Sequence, residues 1–248
     1  MKNHHESPAN ADKNDPGNPA KGTDRMNAVI TGLFFIAATV SAITGLKLYD
    51  PVLTHSDYLT NGAKNDTRII FGALSELILV CTAAGTGIML FPFIRKYNER
   101  LGLGYITFRL LEAVFILIGI VSVLALLSLS RSYTSETAPD IAAFQTAGTI
   151  LKAIHDWTFI LGPLFMLGIN TFIYSYVFYR TNLVPGKLAI LGITGAVLVF
   201  ISAPLAMLGI VTMLSVWQVL MALPIAVYEM VLAVWLIMRG FNLGYVAK

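Results

Sequence analysis

The sequence predicts an all-α, polytopic integral membrane bundle of six transmembrane helices, and three observations carry that prediction. Mean hydropathy is +0.72. Apolar residues make up 56% of the chain and charged residues only 12%, well outside the usual range of soluble domains. Six apolar stretches reach the roughly twenty residues needed to cross about 30 Å of hydrocarbon, and polar or basic segments separate them. Nothing is left over for a second sizeable soluble domain. The formal charge of +3 is explained by basic loops facing one side of a membrane, so no nucleic-acid partner is expected.

Residues 1–25 are rich in Asn, Asp, Pro, Gly and Lys and offer no apolar face, so a disordered cytoplasmic tail is expected there. The adjacent His4 and His5 read as solvated residues rather than metal ligands. The start lacks the basic, apolar and small-residue pattern of a secretory signal, so the first apolar run is expected to be a retained span. A single transmembrane domain is assigned to 26–248, with spans at about 27–48, 69–94, 103–129, 154–179, 187–210 and 217–238. The last boundary is the weakest, because 208–216 is almost wholly apolar. Pro204, Gly209 and the Ser215–Gln218 region mark either a simple turn or a broken helix. In the third loop, Pro139 and Asp140 read as a helix start, with Ile141, Phe144, Ile150 and Leu151 as an apolar stripe running along the outer surface.

Basic residues set the orientation. Lys21, Arg25, Arg95, Lys96, Arg100, Arg180, Lys187, Arg239 and Lys248 fall on one side of a six-span chain, opposite Lys64, Arg68 and Arg131, so both termini are predicted to be cytoplasmic. Tyr49, Tyr97, Tyr133, Trp157, Trp217 and Trp235 lie near span ends, where amphipathic rings favour the headgroup level. Small residues recur at every fourth position, at Ala37, Ser41 and Gly45, at Ala83 and Gly87, and at Gly192 and Ala196; this spacing lets backbones approach closely. Pro163, Pro204 and Pro224 predict kinks. The single cysteine, Cys81, sits in an apolar run, so no disulfide framework, metal site or cofactor is expected.

The candidate site rests on charges placed in oil. Arg109 and Glu112 lie on the third span, Glu76 on the second and Glu229 on the sixth, while Lys152, His155 and Asp156 lead into the fourth. An isolated charge at membrane depth costs several kcal/mol, so such residues face the interior and pair. At about 1.5 Å per residue, Arg109 lies roughly 9 Å from the cytoplasmic boundary and Glu112 and Glu229 roughly 14 Å, close enough to meet. An Arg109–Glu229 pairing between helices is predicted, with Glu112 sharing the arginine or remaining protonated; two carboxylates against one cation leave room for a proton, a cation or a cationic ligand. Glu76, His155 and Asp156 form a second, outer candidate group, reached if their helices adjoin. No zinc helix, nucleophile elbow or phosphate loop is present, so no catalytic residue is assigned and nothing favours an enzyme.

The segments "FRLLEA", "HDWTFILGPLFMLGINTFIYSYVFYRTNLVPGKLAILGITG" from His155 to Gly195, and "YEMVLAVWLIMRGF" resemble the bacterial membrane proteins of domain-of-unknown-function family 4386. The resemblance spans most of the chain after the tail. It implies a multi-pass protein of a prokaryotic cytoplasmic membrane and supplies no activity. Arg109, Glu112, His155, Pro185 and Glu229 match the family pattern, whereas Asp156 and Trp157 do not. The leading expectation is a bilayer-embedded protein binding a small ligand or ion in a polar cavity, for transport or sensing. The alternatives are a scaffold whose buried charges only specify helix pairing and, third, an intramembrane enzyme.

Overall fold

A computed structural model describes residues 19–213 and 215–242. Among these residues there is no strand, and helices account for all six spans. α1 (Pro19–Leu48) is followed by two short helices, α2 (Asp50–Leu53) and α3 (Tyr58–Lys64). The long α4 (Asp66–Tyr97) and α5 (Glu99–Ser135) come next. The fourth span is one continuous rod: α6 (Ile141–Phe159), a π-helical segment (Ile160–Met166) and α7 (Leu167–Thr181). α8 (Gly186–Met207) and α9 (Val216–Met238) complete the bundle.

The helices form a closed ring. α1 packs on α4 and α9, α4 on α5, α5 on the fourth rod, that rod on α8, and α8 on α9. Outward faces carry exposed Val40, Ile78, Val121, Ile190 and Val219, so the surface the ring offers is the bilayer-facing kind and the chain is a multi-pass membrane protein. The start of α1 and the end of α9 meet on one face: Arg25 donates to the Leu236 carbonyl at 3.0 Å, to Ile237 at 2.6 Å and to Met238 at 3.3 Å. These are carbonyls that a helix C-terminus leaves without intrahelical partners. We call this the terminal face and its opposite the distal face.

Local chemistry explains the boundaries. Asn98 caps α5 by accepting from the Leu101 amide at 3.1 Å, and Asp140 caps α6 by accepting from Ala143 at 3.2 Å, as the sequence predicts for that start. The helix begun at Asp140 does not lie separately along the surface, however. It runs unbroken into the fourth span, giving a 41-residue rod, roughly twice as long as the hydrocarbon is thick. The doubtful region 204–217 is a helix end and a loop: Gly209 adopts φ +70, Ile210 donates back to the Leu205 carbonyl at 2.9 Å, and Ser215 caps α9. α1 begins at Pro19, so the end of the expected tail is helical; the rest of it, 1–18, lies outside the described residues.

Packing differs between the two halves. Near the terminal face a single core draws on α1, α4, α5, α7, α8 and α9, with Phe35, Tyr105, Tyr174, Phe178 and Tyr228 filling the ring. Toward the distal face there are two cores, one around Tyr49, Val52, Ile120 and Val123, the other around Ile160, Leu164, Val199 and Ile225.

Candidate functional site

Arg109 and Glu112 are both buried, 3% and 4% exposed. The arginine leaves α5 over Gly87, whose missing side chain opens the space it crosses; a Cβ there would stand 3.3 Å from the arginine Cγ. On α4 it finds two acceptors for its Nε–H, the Ala83 carbonyl at 3.1 Å and the Thr86 hydroxyl at 3.0 Å. Its Nη1 then donates to Glu112 Oε2 at 2.9 Å, one turn along its own helix. Asn170 of α7 donates to the same carboxylate oxygen at 2.7 Å, tying α4, α5 and α7 together. Tyr105 adds a bond to the Thr86 carbonyl at 3.2 Å.

The pairing between Arg109 and Glu229 is therefore replaced by Arg109–Glu112. The cause is local, because the acceptors on α4 draw the guanidinium across Gly87 and leave its Nη1 beside Glu112. Glu229 still lies within electrostatic range of both Arg109 and Glu112, yet its Oε1 is buried with no hydrogen-bond partner among the described residues. The cluster holds one cation and two carboxyl groups, and only one carboxylate is paired.

The second group assembles nearer the distal face. His155 is buried, 6% exposed, and meets Tyr49 edge-on with ring centroids 6.3 Å apart. Glu76 lies over Gly45 and within electrostatic range of both His155 and Tyr49. Tyr49 is thus fully buried between them and takes no place in the interfacial ring belt. Its own burial, then the neighbouring carboxylate, raises its hydroxyl well above the ordinary value and keeps it protonated. Asp156 stands 3.4 Å from His155 Nδ1 on the exposed side.

His155 and Asp156 also line a cavity of about 450 Å³, together with Asp50, Thr54 and Arg68. Its walls come from both distal cores: Leu53 packs on one, and Phe159 and Met213 on the other. The mouth carries both signs of charge. The Thr54 hydroxyl holds the Asp50 carboxyl below its ordinary value against desolvation, with His55 and Arg68 adding lesser pulls in the same direction, so the mouth keeps its negative charge at neutral pH. About 10 Å of helix separates His155 from Gly162, which abuts the Glu112 backbone carbonyl, so the two groups lie at successive depths of the fourth rod.

The sequence assigns no site role to Asn170, Thr86, Tyr49, Asp50 or Arg68, of which it marks Tyr49 only as a span-end ring and Arg68 only as a loop cation. Asn170 left a signal, since an amide in mid-span needs a partner and lies about 16 Å from the end of α7. Among the described residues no cluster of His, Cys, Asp and Glu has the geometry to hold a metal ion.

A family model described as Domain of unknown function (DUF4386) matches residues 30–240, and the chain belongs to that family. No curated protein and no solved structure matches it.

Proposed function

We propose that this DUF4386 member is a multi-pass protein of a prokaryotic cytoplasmic membrane, with both termini cytoplasmic, that binds a small polar or ionic solute from the distal face for transport or sensing. The observation that carries the reading is the division of the distal half into two cores around a cavity ending on a buried histidine, while the terminal half is closed by a single aromatic core. A solute reaching that cavity meets Asp50, Arg68 and Asp156 at the mouth and His155 at depth. Glu76 and Tyr49 back the imidazole, which is suited to binding an ion or exchanging a proton. The Arg109–Glu112–Asn170 network fits a supporting role, fixing α5 against α4 and α7 below the cavity, and Glu229 supplies the unpaired carboxyl.

The full chain in nanodiscs, screened against small cations, anions and zwitterions by thermal unfolding, tests this. A solute that raises the midpoint of the wild type but not of His155→Gln is the expected result. If every stabilising solute protects His155→Gln and Asp156→Asn as well as the wild type, the cavity is not the site. The competing scaffold reading, in which the charges only specify helix pairing, would then stand.

A further inference from the structure

At the terminal end of α9 two hollows of different chemistry adjoin. One, of about 550 Å³, lies between the turn after α7 and the segment after α9 and is lined by Asn182, Pro185, Gly186 and Asn242. The other, of about 450 Å³, follows the outer side of α9 along Met230, Val231, Val234 and Met238 and is almost wholly apolar. Trp235 and Arg239 line both hollows.

Two features mark the junction as built for an amphiphile. Trp235 Nε1 is buried without an acceptor, and the exposed Arg239 guanidinium has no ion pair or side-chain hydrogen bond among the described residues. A helix C-terminus ordinarily repels an anion. Here Arg25 already occupies the Leu236, Ile237 and Met238 carbonyls, so the field at the end of α9 is neutralised and Arg239 remains available. The loop segment is held in place by the Asn242 amide, which donates to the Leu183 carbonyl at 2.8 Å.

We infer that the polar hollow and the apolar groove together form a binding site for an anionic phospholipid, with the headgroup phosphate at the exposed Arg239 and an acyl chain along α9 past the Trp235 ring. The groove distinguishes this ligand from a soluble anion, because only a lipid uses both halves. The site is independent of the distal cavity.

The test titrates delipidated full-length protein in detergent with phosphatidylglycerol, phosphatidylcholine or inorganic phosphate and follows the unfolding midpoint. Phosphatidylglycerol should stabilise, the other two should not, and Arg239→Gln should weaken the apparent affinity about fivefold, the worth of one interfacial cation. Val234→Trp, which fills the groove, should weaken it as well. Arg180→Gln, an exposed arginine outside both hollows, should titrate like the wild type. Equal protection by phosphatidylcholine or by phosphate overturns the proposal, as does an unchanged phosphatidylglycerol titration in Arg239→Gln. Should that variant fail to fold, Val234→Trp decides alone: a wild-type titration overturns the site, and a weakened one supports it.

Discussion

A buried arginine survives in hydrocarbon when its charge is paired and acceptors are brought to its guanidinium. Arg109 has the Ala83 carbonyl, the Thr86 hydroxyl and the Glu112 carboxylate, and Glu112 is further held by Asn170. Removing one partner of such a pair leaves an uncompensated charge, so Glu112→Gln should lower the unfolding free energy by about 3–5 kcal/mol. Glu229→Gln removes a carboxyl whose Oε1 has no partner, and stability should be unchanged or raised. Denaturant unfolding of the two variants beside wild type separates the cases; an equal loss in both would make Glu229 the arginine's true counter-charge. Depth counting brings Arg109, Glu112 and Glu229 within reach of one another from sequence alone. It does not identify the partner, because that choice turns on the missing side chain at Gly87 and the acceptors at Ala83 and Thr86, which lie on another helix.

At the scale of the element, small residues serve the polar groups as much as helix contact. Gly45 accommodates Glu76, Gly87 accommodates Arg109, and Gly192 accommodates Tyr228, so the fourth-position spacing read from the sequence also marks where large polar side chains cross. Gly195 is different: a Cβ there would lie 2.7 Å from the Ile225 amide nitrogen and 2.8 Å from its Cα, both backbone atoms that cannot rotate aside. Gly195→Leu should therefore force α8 from α9 and cost about 1–3 kcal/mol. Thermal unfolding checks this, and a wild-type midpoint would mean that the two helices separate freely. The spans were legible because twenty apolar residues leave few alternatives. Their ends were not, since helical hydrogen bonds continue into interfacial water where hydropathy no longer reports them, as in α5 and the fourth rod. Pro163, which predicts a kink, lies in a π-helical segment that packs against α5.

For the whole molecule, the division into one terminal core and two distal cores makes the bundle asymmetric across the membrane. That asymmetry was invisible in the sequence, because it depends on which interior side chains meet across the ring and not on how apolar each span is. It carries a direct expectation for solvent access. In a Cys81→Ser background, a cysteine at Phe159, which lines the cavity, should react with a membrane-impermeant maleimide applied from the distal side. A cysteine at Val177, 0% exposed within the terminal core, should not react from either side. If the basic residues orient the chain as expected, intact cells will label the first position and right-side-in blocking will not be needed. Labelling of Val177→Cys as fast as Phe159→Cys would mean that the aromatic core opens as readily as the cavity, and a closed terminal half could then no longer support binding from one face. Slow labelling at Val177 that appears only with a stabilising solute present would instead identify the core of Phe35, Tyr105, Tyr174 and Tyr228 as the gate that moves.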